Sequence, residues 1–335
     1  MTAGSHGLRG RRILVTGGAG FVGSATVSRL VAAGCGDILV VDDMVRGRPE
    51  NLDFPPGAAQ VRLIVGDIRD QRLMRDLVPG VDTVVHLAAL RITQCAAEPR
   101  RAIEVMIDAT YDLLELCAKA EVRKVVMASS ASVYGMAARF PTPEDHHPYA
   151  NRTLYGAAKA FGEAMLRSFH EMYGLDYVAL RYFNAYGPRM DIHGKYTEVL
   201  VRWMERIDAE LPPIIFGDGS QTMDLVYVDD IARANVLAAA SAASDTVLNI
   251  GSGMEISLRK LAEKLAAAMG RPDLKPVHAE ERRVEAVRRR VADISAASRA
   301  LGFTPEVPLD EGLTRLVSWW RRQRGGAEAT AEPAA

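Results

Sequence analysis

Between Arg12 and Tyr182, six short runs rich in β-branched residues recur, and segments of helical period fill the gaps between them. The runs are Ile13–Thr16, Ile38–Val41, Val61–Val65, Thr83–Leu87, Val125–Ser129 and Val178–Tyr182. Unbroken apolar runs suit strands covered on both faces, because a sheet with one wet face would alternate polar and apolar residues. The intervening Phe21–Ala33, Gln71–Leu77, Arg100–Ala120 and Leu154–Tyr173 carry helical spacing. This alternation predicts an α/β fold, a Rossmann-type doubly wound parallel sheet whose ligands sit beyond the carboxyl ends of the strands.

After Gly187-Pro188 the pattern loosens, broken by Pro212-Pro213, Gly217-Asp218-Gly219 and Pro272. A smaller C-terminal α/β lobe is expected there. The division expected is residues 11–187 for the sheet domain and 188–324 mainly for the lobe, with 225–250 returning to the sheet domain. Residues 1–10 and 325–335 read as flexible tails.

Charge excludes several classes of function. Lys plus Arg is 41 against 42 for Asp plus Glu, a net charge of −1, so nothing pulls the whole molecule toward nucleic acid or acidic membranes. No run approaches the ~20 apolar residues of a membrane helix. The opening MTAGSHGLRGRR has no apolar core for a secretory signal. Cys35, Cys95 and Cys117 are odd in number and scattered, so no disulfide framework is expected and a reducing cytoplasm is.

The first strand runs into Gly17-Gly18-Ala19-Gly20 and then a helix opened by Phe21, Val22 and Gly23. A helix N-terminus presents unpaired N–H groups and partial positive charge, which favour a pyrophosphate. Gly17 permits the tight turn, Gly20 the approach of phosphates, and Gly23 close packing of helix on strand. A glycine triplet alone is weak, but a strand before it and a helix after it give a dinucleotide site. The second strand ends in Asp42-Asp43. A carboxylate there accepts ribose hydroxyls and repels a 2′-phosphate, which favours NAD over NADP. Arg46 and Arg48 lie close by, and the plain alternative is that Asp42 caps a turn.

Two further signals follow in order. Ser129-Ser130-Ala131-Ser132 ends the fifth strand, and Tyr155 and Lys159 stand at i and i+4 on one helical face. A nearby ammonium and an oxidised nicotinamide both favour a phenolate, which then acts as general base at neutral pH. Ser130 would hold the reacting hydroxyl. A Tyr and a Lys at helical spacing are common on solvated faces, and the weight comes from the conjunction with the glycine turn and the acid.

With these motifs the chain resembles the extended short-chain dehydrogenase/reductase family, and within it the NAD-dependent nucleotide-sugar epimerases and dehydratases, over Arg12 to about Arg322. The resemblance implies that Asp67 and Ile68 of Gly66-Asp67-Ile68 touch the adenine end. It implies that Leu87, Ala88 and Ala89 of His86-Leu87-Ala88-Ala89 lie by the pyrophosphate, with Arg91 where a Lys is common. Ser129, Tyr155, Lys159 and Phe183 are then at the nicotinamide, and Asn184 on the sugar nucleotide. In relatives the counterparts of Arg100–Ala120 and Leu154–Tyr173 pair across a two-fold axis, so a homodimer is expected.

Dehydratases of this group carry Asp-Glu after the catalytic hydroxyl, where this chain has Ala131-Ser132. The expected reaction is therefore inversion at C4 of a nucleotide-diphosphate sugar (a UDP-linked hexose, hexuronate or N-acetylhexosamine) through a 4-keto intermediate, catalysed by Ser130, Tyr155 and Lys159. A net oxidoreductase, an epimerase at another carbon and a non-catalytic NAD sensor are the alternatives. Met223 replaces an Arg common before the Asp of the Gly-Asp-Gly segment, and Met106 an Asn common near the cofactor. Arg189 and one or more of Arg282, Arg283, Arg288, Arg289 and Arg290 are then candidate anchors, with Arg290 chosen. Arg189 suits a C6 carboxylate, a phosphate or a structural role. His146-His147 sits at no metal-ligand spacing, and no metal is expected. Trp319-Trp320 reads as an anchor for the last helix.

Overall fold

Seven strands pair in parallel into one sheet whose order reverses at its centre. In this computed structural model, residues 6–52, 54, 60–192, 198–280 and 287–329 are described. The strands are β1 (Arg12–Thr16), β2 (Asp37–Asp42), β3 (Gln60–Val65), β4 (Thr83–His86), β5 (Lys124–Ser130) and β6 (Tyr177–Tyr182). The chain then leaves the sheet through β7 (Asn184–Tyr186), β8 (Ile214–Phe216), β9 (Thr222–Met223) and β10 (Leu225–Tyr227), and returns as β11 (Thr246–Ile250). The sheet order is β11-β6-β5-β4-β1-β2-β3, so the crevice lies between the carboxyl ends of β1 and β4. The strand that rejoins the sheet is β11, beside β6, whereas β10 pairs with β7 outside it.

Helices α1 (Phe21–Ala32), α2 (Gln71–Leu77), α3 (Ile92–Ala97), α4 (Pro99–Ile103), α5 (Ala109–Lys119) and α6 (Leu154–Tyr173) connect the strands. Of the later helices, α7 (Val199–Asp208), α9 (Leu258–Ala268) and α11 (Leu309–Ala329) build the lobe, while α8 (Val228–Ala240) and α10 (Ser295–Leu301) pack on the sheet. One buried cluster joins β-strand residues such as Leu14, Val84 and Val125 to α5 and α6, and a second joins Val15, Val85 and Val126 to α1 and α8. The all-apolar strands are thus covered on both faces. A third cluster around Trp203, Leu261, Leu313 and Trp320 holds the lobe together.

Two sequence expectations are corrected. The single helix expected over Arg100–Ala120 is α4, a π-turn over Glu104–Asp108, and α5. The wider turn is tied by the Thr110 hydroxyl, which donates to the Met106 carbonyl (3.0 Å) and also meets His86. One extra residue in a turn leaves the apolar spacing almost unchanged, so periodicity does not reveal it. The expected tails are also shorter. Leu8 is buried against the second cluster, and α11 runs on to Ala329 past Gly325 because a long packed helix carries its Ala/Glu-rich end with it.

Candidate active site

A cavity of about 870 Å³ opens at the crevice between β1 and β4, lined from both domains. Its floor is the glycine turn. Gly17 sits at φ +69°, and a Cβ there would lie 2.9 Å from the Cα and N of Ala88. A Cβ on Gly23 would run into the Gly17 carbonyl oxygen. Strand, turn and the β4 loop therefore approach as closely as backbones can, and α1 points its free N–H groups into the space. Gly23→Ala is expected to yield protein that purifies without NAD. Ultraviolet absorbance of the acid-released small-molecule fraction checks this.

The acids after β2 face the same space. Asp42 is buried, accepts the N–H groups of Ala19 (3.0 Å) and Met44 (3.0 Å), and keeps lone pairs for further donors. Burial raises its pKa, which those bonds oppose. Asp43 accepts from Val45 N–H (3.1 Å), and Asp67 is gripped by the Arg69 guanidinium, which holds its carboxyl below the usual range. His86 is buried at the end of β4 outside the cavity lining and is neutral, since burial drives its pKa to about 3. Its ring meets the hydroxyls of Thr16 (2.8 Å) and Thr110 (3.2 Å). Thr16 in turn accepts the Leu87 and Ala88 N–H groups and so fixes the β4 loop. Side-chain hydroxyls, not backbone groups, satisfy this histidine.

Across the crevice β5 delivers Ser129 and Ser130, and α6 delivers Tyr155 and Lys159. Thr153 caps α6 through the Gly156 N–H (3.1 Å), which sets the helix so that Tyr155 lies in its first turn. Ser130 lies beside Tyr155 and lowers the pKa of its phenol, and Lys159 Nζ lies 5.8 Å from the phenol ring centroid while donating to the Ala128 carbonyl (2.7 Å). Burial pushes the Tyr155 hydroxyl up, against the lowering by Ser130 and Arg290, and pushes Lys159 down to about 8. The ammonium and the nicotinamide that the sequence places beside the phenol both favour the phenolate. Desolvation opposes them, so the hydroxyl rests protonated until further positive charge arrives.

The sequence-derived residues Gly17, Gly20, Phe21, Val22, Gly23, Asp42, Asp43, Arg46, Asp67, Ile68, Leu87, Ala88, Ala89, Arg91, Ser129, Ser130, Tyr155, Lys159, Phe183, Asn184, Arg189 and Arg290 all line this one cavity. Asn184 is tethered by its side-chain N–H to the Asp224 carbonyl (3.0 Å). Arg189 holds a left-handed backbone at φ 70°, and burial lowers its pKa. Other candidates lie elsewhere. Arg289 turns away to Glu255 (Nε–Oε2 2.9 Å), Arg288 is outside the lining, and Arg282 and Arg283 fall outside the described residues, as do His193, Lys195 and Tyr196. Met223 packs in the lobe core and Met106 against Cys95 Sγ (3.6 Å). Trp320 anchors α11, but Trp319 faces the cavity. His146 is structural, accepting the Ala138 N–H (2.9 Å).

Sequence reasoning missed Asp191, Glu198 and Arg202, which also line the cavity. Asp191 stands 3.4 Å from Arg46 and 3.7 Å from Arg91, and Glu198 3.9 Å from Arg91. These residues flank and open a lobe helix with no motif around them, so no local signal marked them. Among the described residues no cluster suits a metal ion, and no helix is long and apolar enough to cross a membrane.

Residues 13–251 match the model of the NAD dependent epimerase/dehydratase family. The chain is 37% identical over 317 residues to a UDP-glucose 4-epimerase of Mycolicibacterium smegmatis, covering 93% of this chain and 99% of that one. A UDP-N-acetylglucosamine 4-epimerase from Methanobrevibacter ruminantium, solved with UDP-N-acetylmuramic acid, superposes with a TM-score of 0.88 at 34% identity, over 94% and 99% of the two chains. The dTDP-glucose 4,6-dehydratase DesIV of Streptomyces venezuelae, solved with NAD, gives 0.84 at 30% identity, over 94% and 98%.

Proposed function

The chain belongs to the NAD-dependent epimerase/dehydratase family, and from that premise we infer that it is an NAD-dependent 4-epimerase of a nucleotide-diphosphate sugar. The observation that carries this is the Ser130–Tyr155–Lys159 group beside a strand end that holds no carboxylate. Ala131 and Ser132 occupy the positions next to Ser130, and both are buried. The acids lining the cavity, Asp42, Asp43, Asp67, Asp191 and Glu198, come from the second and third strand ends or from the lobe, not from the end of β5. Dehydration needs acid–base work at C5 and C6, and this site has no group for it there.

The glycine-free-of-Cβ floor, the N-terminus of α1 and the Asp42 carboxylate fit NAD. The group would be held by Gly17, Gly20 and Gly23 at its pyrophosphate, by Asp42 and Asp43 at its ribose, by Asp67 and Ile68 at its adenine, and by Phe183 at its nicotinamide. When bound, NAD accepts hydride from the sugar C4, returns it to the opposite face, and in its oxidised form places positive charge beside the phenol. Tyr155 removes the proton of the sugar 4-hydroxyl and later restores it. Ser130 orients that hydroxyl, and Lys159, fixed by the Ala128 carbonyl, supports the negative phenolate. Arg46, Arg91, Arg189, Arg202 and Arg290 give the cavity the positive lining that a diphosphate needs, while the sugar is left free to turn over. UDP is the nucleotide we propose, since the 4-epimerases among the relatives above are named for UDP-sugars.

The test is to incubate the purified protein with a panel of UDP- and other NDP-sugars without added cofactor. Interconversion of C4 isomers is expected. Turnover that needs stoichiometric external NAD would make the protein a dehydrogenase instead, and bound NAD without turnover on any sugar would make it a sensor. In the same panel Arg189→Ala weakens UDP-glucuronate far more than UDP-glucose if Arg189 meets a C6 carboxylate. Equal losses would assign it to the diphosphate.

A homodimer through α5 and α6 completes the proposal. Tyr111, Phe161 and Met172 are 47%, 49% and 60% exposed, and they border an apolar groove between the two helices. A continuous apolar face of this kind is rare on a monomer. Replacing Tyr111 and Phe161 together by Glu is expected to halve the mass measured by light scattering. An unchanged mass would remove this face as the contact. The buried free thiols of Cys35, Cys95 and Cys117 suit a reducing cytoplasm.

A further inference from the structure

Below the reactive tyrosine, α6 carries a third polar residue on the same face. Tyr155, Lys159 and Glu163 stand at i, i+4 and i+8, one per turn. Three consecutive residues of β5 receive them. Ser130 faces Tyr155, the Ala128 carbonyl accepts from Lys159 Nζ (2.7 Å), and the Ser129 hydroxyl donates to the Glu163 carboxylate. The far side of that carboxylate is held by Arg181 of β6 in a bidentate pair, Nε–Oε1 2.9 Å and Nη2–Oε2 2.6 Å. Glu163 is 5% exposed. Arg181 is itself pinned by the Tyr134 hydroxyl (2.8 Å) and the Glu144 carbonyl (2.9 Å).

A buried ion pair contributes little net stability over an apolar pair of the same size, so its place directly under Lys159 needs another reason. We propose that Glu163 is a positioning residue for the epimerisation, the anionic rung that keeps Lys159 charged and seated beneath Tyr155, with Arg181 setting how much of that negative charge the lysine feels. The proposal rests on the reading of Tyr155 and Lys159 given above. It goes beyond that reading in making the activity of the pair depend on a side chain that touches neither substrate nor cofactor.

The groups that face Lys159 decide the sign of the effect. Tyr155 and Glu163 come from α6, Cys95 from α3 and His86 from β4, while Arg181 of β6 acts on Lys159 through its pair with Glu163. His86 is neutral, and burial raises the Cys95 thiol, so Glu163 is the anion of this set at neutral pH. Burial pushes Lys159 down and the charge interactions with Cys95 and Glu163 oppose it, the balance standing at about 8. The ammonium is present below that pH and lost above it, so turnover declines on the alkaline side as Lys159 deprotonates.

The experiment is the pH profile of kcat for the NAD-loaded, gel-filtered protein and two variants. Glu163→Gln keeps the shape but removes the charge and one of the two oxygens that accept from Arg181 and Ser129. Its alkaline limb is expected to move down by roughly one pH unit, about a tenfold loss at high pH with little change near pH 6.5. Arg181→Gln removes the cation and leaves the carboxylate to Lys159, so its limb moves up. Glu163→Asp keeps the charge and holds the limb near the wild-type position. Opposite shifts are beyond a merely structural role, which would lower the rate at every pH alike. Limbs that stay in place, or that move the same way in both Gln variants, overturn the proposal. The reading beneath it fails by a different result, wild-type turnover in Lys159→Met.

Discussion

Tyr155→Phe is expected to lower kcat by about 10³-fold or more while the purified protein still carries NAD. The substitution removes one oxygen from a ring that stays packed against the first core cluster, so the fold is preserved. What is lost is the hydroxyl beside Ser130 that can exchange a proton with a sugar hydroxyl at that strand end. NAD retention depends on the glycine turn and the Asp42 loop across the crevice, which the substitution does not touch. Released NAD is measured by absorbance and turnover by coupled assay. Loss of both together would mean that Tyr155 holds the cofactor, and full turnover without the hydroxyl would refute its role as base.

The second large effect concerns stability. Asp224 has no exposed surface, yet its carboxylate accepts four hydrogen bonds, from Ser252 N–H (2.7 Å), Ser252 Oγ (2.6 Å), Gly253 N–H (3.0 Å) and Ala292 N–H (3.0 Å). It fastens the loop after β11 and the strand-like segment at Ala292 to the start of β10, and its own backbone carbonyl receives Asn184. Asp224→Ala strands three backbone N–H groups, at a cost of the order of 3 kcal/mol or more. Asparagine is no rescue, because its amide would aim N–H groups at the Gly253 and Ala292 donors. Calorimetry is expected to show both variants melting roughly 4 °C or more below the parent. A shift under about 2 °C would mean that water replaces these bonds.

The architecture was legible wherever one physical signal acted alone. The buried strands announced themselves as unbroken apolar runs, and Gln71–Leu77 and Leu154–Tyr173 stand where their spacing places them. The glycine turn was legible because Gly17 and Gly23 answer a steric demand that no other residue meets. Other features depend on contacts distant in sequence. The π-turn at Glu104–Asp108 costs the pattern a single residue. Asp191 and Arg202 reach the cavity only because the lobe folds back over the β2 and β4 loops. Trp319 was read with Trp320 as an anchor, yet adjacent residues on a helix point about 100° apart, and one of the two faces the cavity. The phenol's protonation misled in a different way, since charges can be counted in a sequence and desolvation cannot.

The most direct test of the 4-epimerase assignment follows an isotope. A UDP-hexose carrying deuterium at C4 is incubated with the NAD-loaded protein in ordinary water, and both isomers are analysed by mass spectrometry and NMR. Hydride removed from C4 and returned within a closed site predicts that the C4-inverted product keeps its deuterium at C4. Deuterium lost to water, or a product inverted at another carbon, would contradict the account.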